Sequence, residues 1–163
     1  ASLIAMYTIS SIYHGLYPSM GKKVMQVLDH CTIYFLIAGT YTPVMVCAFC
    51  PVYPIIGWGV LGLEWVLASV AITLTAIDLK KYNVFSMICY IGMGWCIAID
   101  FSAAVAGMGA VGFGFMLAGG IAYTIGAVIY GLGKKCKYMH SIFHVFVLIG
   151  SVLQYISIIE YCM

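Results

Sequence analysis

Two histidines, four residues apart, open the last apolar stretch of the chain and could bind a metal ion together. His140 and His144 stand in "YMHSIFHVFV", residues 138–147. On an α-helix this spacing puts both imidazoles on one face, one turn apart. Ser141 lies between them, and no glutamate does, unlike in the H-E-x-x-H helix of zinc proteases. The proton acceptor of such a site would therefore come from another part of the chain.

A third histidine and one carboxylate are predicted at the same membrane depth. His14 lies about three residues before the end of the first apolar segment, and Asp29 about five residues after the start of the second. At ~1.5 Å per residue, all four groups fall within about 10 Å of one end of their helices. Three histidines with an open fourth position are typical of a catalytic zinc site. Asp29 can take a proton from a zinc-bound water, and Ser10, one turn before His14, can orient an imidazole or a substrate carbonyl.

A structural role is the alternative for these histidines. Imidazoles in membrane helices also serve in helix packing or lie at the interface, and this alternative stays open for His14, His140 and His144 as a set. His30 follows Asp29 directly, so on a helix it points roughly 100° away from it. For His30, packing is the preferred interpretation.

The other polar residues of the apolar segments give weaker signals. Glu64 and Asp100 are predicted to lie mid-membrane, where they are protonated, paired with each other, or line a polar cavity. Glu160 is predicted near the outer end of the last segment. Cys47 and Cys50 form the C-x-x-C pair of the chain, and thiols in this setting behave as small apolar side chains. If this pair faces the outside, a labile disulfide is the alternative.

The elements that must position these residues are membrane helices. The chain is 64% hydrophobic and 7% charged, with a mean hydropathy of +1.10, whereas a soluble domain carries about 25% charged residues. All except the first of the predicted segments are long enough to cross ~30 Å of hydrocarbon. We therefore predict an all-α, polytopic transmembrane helical bundle that forms a single domain over residues 1–163. Six helices are expected, at 1–17, 24–49, 54–77, 84–105, 109–132 and 138–161.

The lysines predict the orientation of this bundle. All seven basic residues are lysines, and they fall in alternate loops, after the first, third and fifth segments. By the positive-inside rule these loops are cytoplasmic. The net charge of +2 then reflects topology, and no basic face indicates a nucleic-acid partner. The chain opens in mid-helix pattern, without Met or a signal sequence, so we expect a helix to be missing at its N-terminus. The three lysine clusters are Lys22 and Lys23; Lys80 and Lys81; and Lys134, Lys135 and Lys137.

Five motifs resemble a known family of membrane proteins. They are "SSIYHGLYP", "LDHCTIYFLIAGTYTPVMV", "YIGMGW", "AYTIGAVIYGL" and "MHSIFHVFVLIGSVLQYISI". In this order, and over nearly the whole chain, they resemble the hemolysin III family, the bacterial branch related to the progestin and adipoQ receptors, which include the adiponectin receptors. The resemblance implies a seven-helix fold with an intracellular N-terminus and an extracellular C-terminus. This chain would correspond to its last six helices.

The resemblance also implies a zinc site. Its ligands would be His14, His140 and His144. Asp29 would contact the zinc-bound water, and Ser10 would belong to the same site. Gln154 departs from the pattern, because many members are expected to carry histidine there; this puts a secondary polar contact in doubt and not the metal. The wider superfamily includes alkaline ceramidases, which implies hydrolysis of a lipid amide.

Three functions remain open at this point. The first is a zinc-dependent hydrolase of a lipid amide or ester, embedded in the bacterial plasma membrane, with a lipid substrate and a site that opens toward the cytoplasmic leaflet. The second is a non-enzymatic receptor or regulator whose zinc ties the first, second and last helices together. The third is a pore-forming cytolysin, which the lack of a recurring polar stripe along the apolar segments disfavours.

Overall fold

The computed structural model describes residues 1–132 and 138–163, and its regular structure within these ranges is helical throughout. The all-α prediction is therefore confirmed. A π-helix over Val44–Phe49 directly follows an α-helix that ends at Pro43, and a 3₁₀-helix spans Cys96–Ile99. Lys134, Lys135 and Lys137, and the side chain of His140, lie outside the described residues. The helices are α1 (Ser2–Gly15), α2 (Met20–Pro43), α3 (Pro54–Ile77), α4 (Asn83–Gly94), α5 (Phe101–Leu132) and α6 (Met139–Tyr161).

Four stretches of helix in the described part of the chain are long and apolar enough to cross a membrane. The α3 and α6 helices agree with the predicted segments 54–77 and 138–161 to within one residue. The α1 and α4 helices have 14 and 12 residues, which at ~1.5 Å per residue is shorter than the hydrocarbon layer. The four candidate spans are Met20–Phe49, Pro54–Ile77, Phe101–Gly131 and Ser141–Tyr161.

The prediction of one continuous helix over 84–105 is wrong, and Asp100, which is predicted to lie mid-membrane, is not inside a helix. The α4 helix ends at Gly94, and the backbone of Asp100 is extended. Its carboxylate accepts hydrogen bonds from the Ser102 hydroxyl at 2.6 Å and the Ala103 N–H at 2.9 Å. Both bonds lower the pKa of the Asp100 carboxyl, and the bond from the Ser102 hydroxyl contributes most. Asp100 thus caps the start of α5, where the first N–H groups of a helix need acceptors.

The α5 helix begins before the predicted segment 109–132, and a single glycine breaks it. Gly109 has φ 72° and ψ 164°, inside an element that is otherwise helical. Positive φ is disfavoured for residues with a Cβ atom, so glycine suits this position. The predicted segment corresponds to the part of α5 from this kink onward.

Packing divides the described chain into two compact units, residues 1–42 with 59–93, and residues 43–58 with 94–163. In the first unit Glu64 lies on the face of α3 that carries the core, and it is fully buried (0% exposed). The offsets of 4, 7 and 11 residues from Glu64 to Ala68, Ala71 and Thr75 put these four on one helix face. The core of this unit consists of Tyr34, Ala38, Ala68, Ala71 and Met93.

In the second unit, glycines seven residues apart let α6 lie close against α5. A Cβ atom at Gly119 would stand 2.6 Å from Cγ of Gln154 and 3.0 Å from the carbonyl oxygen of Gly150. The pairing runs antiparallel, because later glycines meet earlier residues of α6. Small residues allow this close approach of membrane helices. The three pairs are Gly112 with Tyr161, Gly119 with Gln154, and Gly126 with Phe146.

Candidate functional site

The C-terminal end of α1 carries two of the predicted site residues. His14 is the next-to-last residue of the helix and is exposed, and its ring centroid lies 4.7 Å from that of Tyr13. Ser10 lies one turn earlier and is partly buried. After the helix, Leu16 takes an extended conformation. Ser10 and His14 therefore share one face of α1, as predicted from their spacing.

A lysine of the first predicted loop joins the end of α1 to the start of α2. The Lys22 ammonium donates a 2.7 Å hydrogen bond to the carbonyl oxygen of Leu16 and lies 5.4 Å from the centroid of the Tyr13 ring. A cation at a helix C-terminus interacts favourably with its last carbonyls. The bond therefore holds the end of α1, next to His14, against the first turn of α2.

The α2 helix starts one turn before its predicted beginning at residue 24. The Ser19 hydroxyl accepts a 3.2 Å hydrogen bond from the Lys22 N–H, which caps the helix, so α2 begins at Met20. Asp29 consequently lies nine residues, about 14 Å, along α2. The prediction that Asp29 is within about 10 Å of the end of its helix is wrong for this reason. Measured from Lys23, the last lysine of the pair, Asp29 is six residues away, about 9 Å.

The turn of α2 that carries Asp29 is partly buried and is hydrogen-bonded to its own helix and to α4. The Thr32 hydroxyl donates to the carbonyl oxygen of Asp29 at 2.8 Å. The Tyr90 hydroxyl on α4 donates to the carbonyl oxygen of His30 at 3.1 Å. His30 Nδ1 lies 2.8 Å from the carbonyl oxygen of Gln26; because a carbonyl only accepts, Nδ1 carries the proton. This bond agrees with the packing interpretation of His30.

Sequence reasoning assigned no role to Tyr90, although the residue begins the motif "YIGMGW". A signal was present: Ser86 and Tyr90 are four residues apart in an otherwise apolar helix, which puts two hydroxyls on one face. Their partners lie on other helices, at Thr75 for Ser86 and at His30 for Tyr90. Spacing within α4 does not reveal such partners.

The α6 helix carries the remaining predicted ligands. His144 is five residues beyond the first residue of α6, is partly buried, and has its ring centroid 5.3 Å from that of Phe143. His14 and Asp29 belong to the first compact unit and His144 to the second. Gln154, which packs against Gly119, lies ten residues or about 15 Å beyond His144. The presence of glutamine at this position, where histidine is expected, therefore affects the contact of α5 with α6.

The predicted zinc ligands are histidines, a residue type that commonly binds zinc. Among the side chains that the structure describes, which exclude that of His140, no three His, Cys, Asp or Glu form a group that could hold a metal. The site of His14, His140 and His144 accordingly stays a prediction. Imidazole nitrogens are common zinc donors. His14 is exposed and His144 is partly buried.

The cysteines at the end of the π-helix are thiols in this structure. Cys47 is exposed and Cys50 is partly buried. Cys162, just beyond α6, is partly buried as well, and burial together with the nearby Cys47 raises the pKa of the Cys162 thiol to about 11. A thiol with such a pKa is a weak nucleophile at neutral pH. The labile disulfide between Cys47 and Cys50 stays a prediction.

Comparison with known proteins identifies the family. The family model described as "Haemolysin-III related" matches residues 1–155. The chain belongs to this family. It is 34% identical over 160 residues to Hemolysin-3 of Bacillus cereus, covering 98% of this chain and 71% of the relative. It is 32% identical over 161 residues to a Hemolysin-3 homolog of Bacillus subtilis (strain 168), covering 99% and 74%.

A more distant similarity extends the family relationship to animals. The chain is 25% identical over 168 residues to the human Monocyte to macrophage differentiation factor, covering 98% of this chain and 66% of the relative. The predicted relation to the hemolysin III and progestin and adipoQ receptor proteins is thereby confirmed. No solved structure matches the chain. With its apolar spans, this haemolysin-III-related chain is a multi-pass membrane protein.

Proposed function

We propose that this haemolysin-III-related protein is a zinc-dependent hydrolase of a lipid amide or ester, with its site near the cytoplasmic face of the bacterial plasma membrane. The observation that supports it best is the setting of Asp29. This carboxylate stands in an apolar helix, in a turn held by hydrogen bonds from Thr32 and Tyr90. Ionisable groups inside membrane helices are costly and usually functional. His14 belongs to the same compact unit.

The three proposed zinc ligands come from two helices. His14 on α1 and His140 and His144 on α6 would hold the ion through neutral imidazole nitrogens. When bound, zinc supplies a Lewis acid that polarises a carbonyl group and lowers the pKa of a coordinated water. Ser10, one turn before His14, would donate a hydrogen bond to the substrate carbonyl oxygen or orient a ligand.

Asp29 would act as the general base and acid of the reaction. Its carboxylate accepts a proton from the attacking water and returns it to the departing amine or alcohol. Because Lys22 ties the end of α1 to α2, the helix that carries His14 is held in register with the helix that carries Asp29. Positioning of this kind lowers the entropic part of the barrier.

The surface around these residues supports a lipid as the substrate. Exposed apolar side chains surround the end of α1 and the first turns of α2. Leu28 stands directly before Asp29, and Val24 one turn earlier. Acyl chains of a membrane lipid can lie against such a surface. These side chains are Leu16, Tyr17, Met20, Val24 and Leu28.

Asp29→Asn tests the proposal in protein reconstituted into lipid vesicles that contain ceramide. We expect zinc content to stay unchanged and hydrolysis to fall about 10²- to 10⁴-fold, the usual contribution of general acid–base catalysis. The matched control is Asp78→Asn, because Asp78 lies beyond α3, where it accepts bonds from the N–H groups of Lys80 and Lys81. Hydrolysis at the wild-type rate in Asp29→Asn would contradict the role of Asp29. Wild-type protein that holds zinc but cleaves no lipid amide or ester would favour a regulator with structural zinc.

The names of the Bacillus relatives raise the cytolytic alternative, and the packing of the first unit argues against it. A water-filled pore needs polar side chains that face water. Glu64, Thr75 and Ser86 are polar residues on α3 and α4, and all three are buried. We expect no dye leakage from vesicles that carry the reconstituted protein, and leakage that persists in Asp29→Asn would support a pore.

A further inference from the structure

We propose that Tyr90 is a positioning residue for Asp29, acting through the main chain of His30; this role rests on the hydrolase function proposed above. The hydroxyl of Tyr90 on α4 donates a 3.1 Å hydrogen bond to the carbonyl oxygen of His30 on α2. In an α-helix that oxygen already accepts the N–H of the residue four positions later. The bond from Tyr90 therefore uses its second lone pair. It adds a tie between helices at the residue directly after Asp29.

The ring of Tyr90 is held in place by a second tyrosine. Its centroid lies 4.4 Å from that of Tyr34, which is fully buried in the core of the first unit. The Thr75 hydroxyl on α3 lies 3.5 Å from the Tyr34 hydroxyl and 3.2 Å from that of Ser86 on α4. Tyr34, Thr75 and Ser86 are all buried, and hydrogen bonds are stronger in such surroundings than in water. Side chains from three helices thus fix the direction in which Tyr90 donates.

The same turn of α2 also contacts α3. The Cys31 thiol lies 3.9 Å from the carbonyl oxygen of Ile72. Together with the bond from Thr32 to the carbonyl oxygen of Asp29, this places contacts on each of the four residues from Asp29 to Thr32. A shift of the turn would move the carboxylate with it, and a displacement of ~1 Å can cost ~10²-fold in rate.

Tyr90→Phe isolates the hydroxyl, because phenylalanine retains the ring that packs against Tyr34. In vesicles with ceramide we expect kcat to fall ~10- to 100-fold, the usual effect of losing a group that orients a site residue. KM and zinc content should stay unchanged, since the proposed role of Tyr90 concerns the turn that carries Asp29, the proposed general base. In the Asp29→Asn background, Tyr90→Phe should bring no further loss, because its effect passes through Asp29.

Tyr123→Phe is the matched control. Its hydroxyl lies 2.7 Å from that of Ser151, so the variant also removes one tyrosine hydrogen bond between two helices, in the second unit. We expect it to keep the wild-type kcat. An equal fall in kcat in Tyr123→Phe, or an added loss from Tyr90→Phe in the Asp29→Asn background, would show general loosening and overturn the positioning role.

Hydrogen–deuterium exchange separates this proposal from the hydrolase function. Tyr90→Phe should speed exchange in a peptide that covers residues 29–34 and leave one from α6 unchanged. An active wild type with an equally active Tyr90→Phe variant, or unchanged exchange in residues 29–34, would overturn the positioning role alone. Wild-type protein that binds zinc and cleaves nothing would overturn the hydrolase function, and the positioning role with it. Faster exchange in the Tyr90→Phe variant would even then establish that the hydrogen bond constrains this turn of α2.

Discussion

The Lys22 ammonium on α2 donates a 2.7 Å hydrogen bond to the carbonyl oxygen of Leu16, just past the end of α1. The same ammonium lies 5.4 Å from the centroid of the Tyr13 ring. Lys22, which in the sequence helps to predict the orientation of the helices in the membrane, thus also connects two consecutive helices. His14 stands two residues before Leu16, so the fastening acts next to a predicted zinc ligand.

Lys22→Met should weaken zinc binding. The methionine retains an apolar stem but donates no hydrogen bond, so the end of α1 loses its tie to α2. We expect the zinc affinity to fall about tenfold, at the low end for residues that orient ligands, because the pair is exposed to solvent. Competition with a chelator measures this, and Lys23→Met is the control on the same turn. Equal affinities in the two variants would mean that the bond to Leu16 does not position His14.

The predicted ligand set is tested by removing the histidines of α6. His140→Ala combined with His144→Ala should abolish bound zinc, because one remaining imidazole cannot hold the ion. His30→Ala should keep zinc, since its Nδ1 is hydrogen-bonded within α2. Elemental analysis of purified protein gives the metal content. Zinc retained by the double variant would rule out the predicted site.

Neighbouring glycines of α5 should respond differently to a methyl group. At Gly119 a Cβ atom would meet Gln154 and the Gly150 carbonyl, whereas at Gly120 it would meet no described atom within 4 Å apart from the adjoining backbone of its own helix. We expect Gly119→Ala to cost about 1–3 kcal/mol through overpacking. Gly120→Ala should be neutral or stabilise by about 0.4–1 kcal/mol. Unfolding in detergent compares the two, and equal stabilities would contradict the close packing of α6 on α5.

Cysteine labelling tests the proposed orientation. Val52 and Lys81 are both exposed, and they flank α3, one of the four candidate spans. In a cysteine-free protein, Val52→Cys should react with a membrane-impermeant maleimide added to intact cells. Lys81→Cys should react only after the membrane is permeabilised, because the positive-inside rule puts the lysine loops in the cytoplasm. The reverse pattern would invert the topology.

Local features of the chain were predictable wherever a long apolar run ends at a strong break. The α3 and α6 helices match their predictions because hydrophobic length is a property of consecutive residues. The prediction failed where a short polar side chain caps a helix. The Ser19 cap makes α2 begin before its two lysines. The Asp100 cap makes α5 begin inside a segment whose hydropathy predicts one continuous helix. Hydropathy is averaged over many residues, whereas a cap depends on a single side chain that accepts a hydrogen bond from the backbone.

The sequence by itself determined the class of protein: membrane helices, a lysine pattern that predicts their orientation, and five motifs that identify the family. It also determined the candidate site residues, because residue type and helical spacing are enough to propose a zinc site. Only the tertiary structure decided which side chains support Asp29. Tyr90 and His30 are 60 residues apart, as the hydrogen bond between them records. No local pattern encodes that contact, because it depends on how α4 packs against α2.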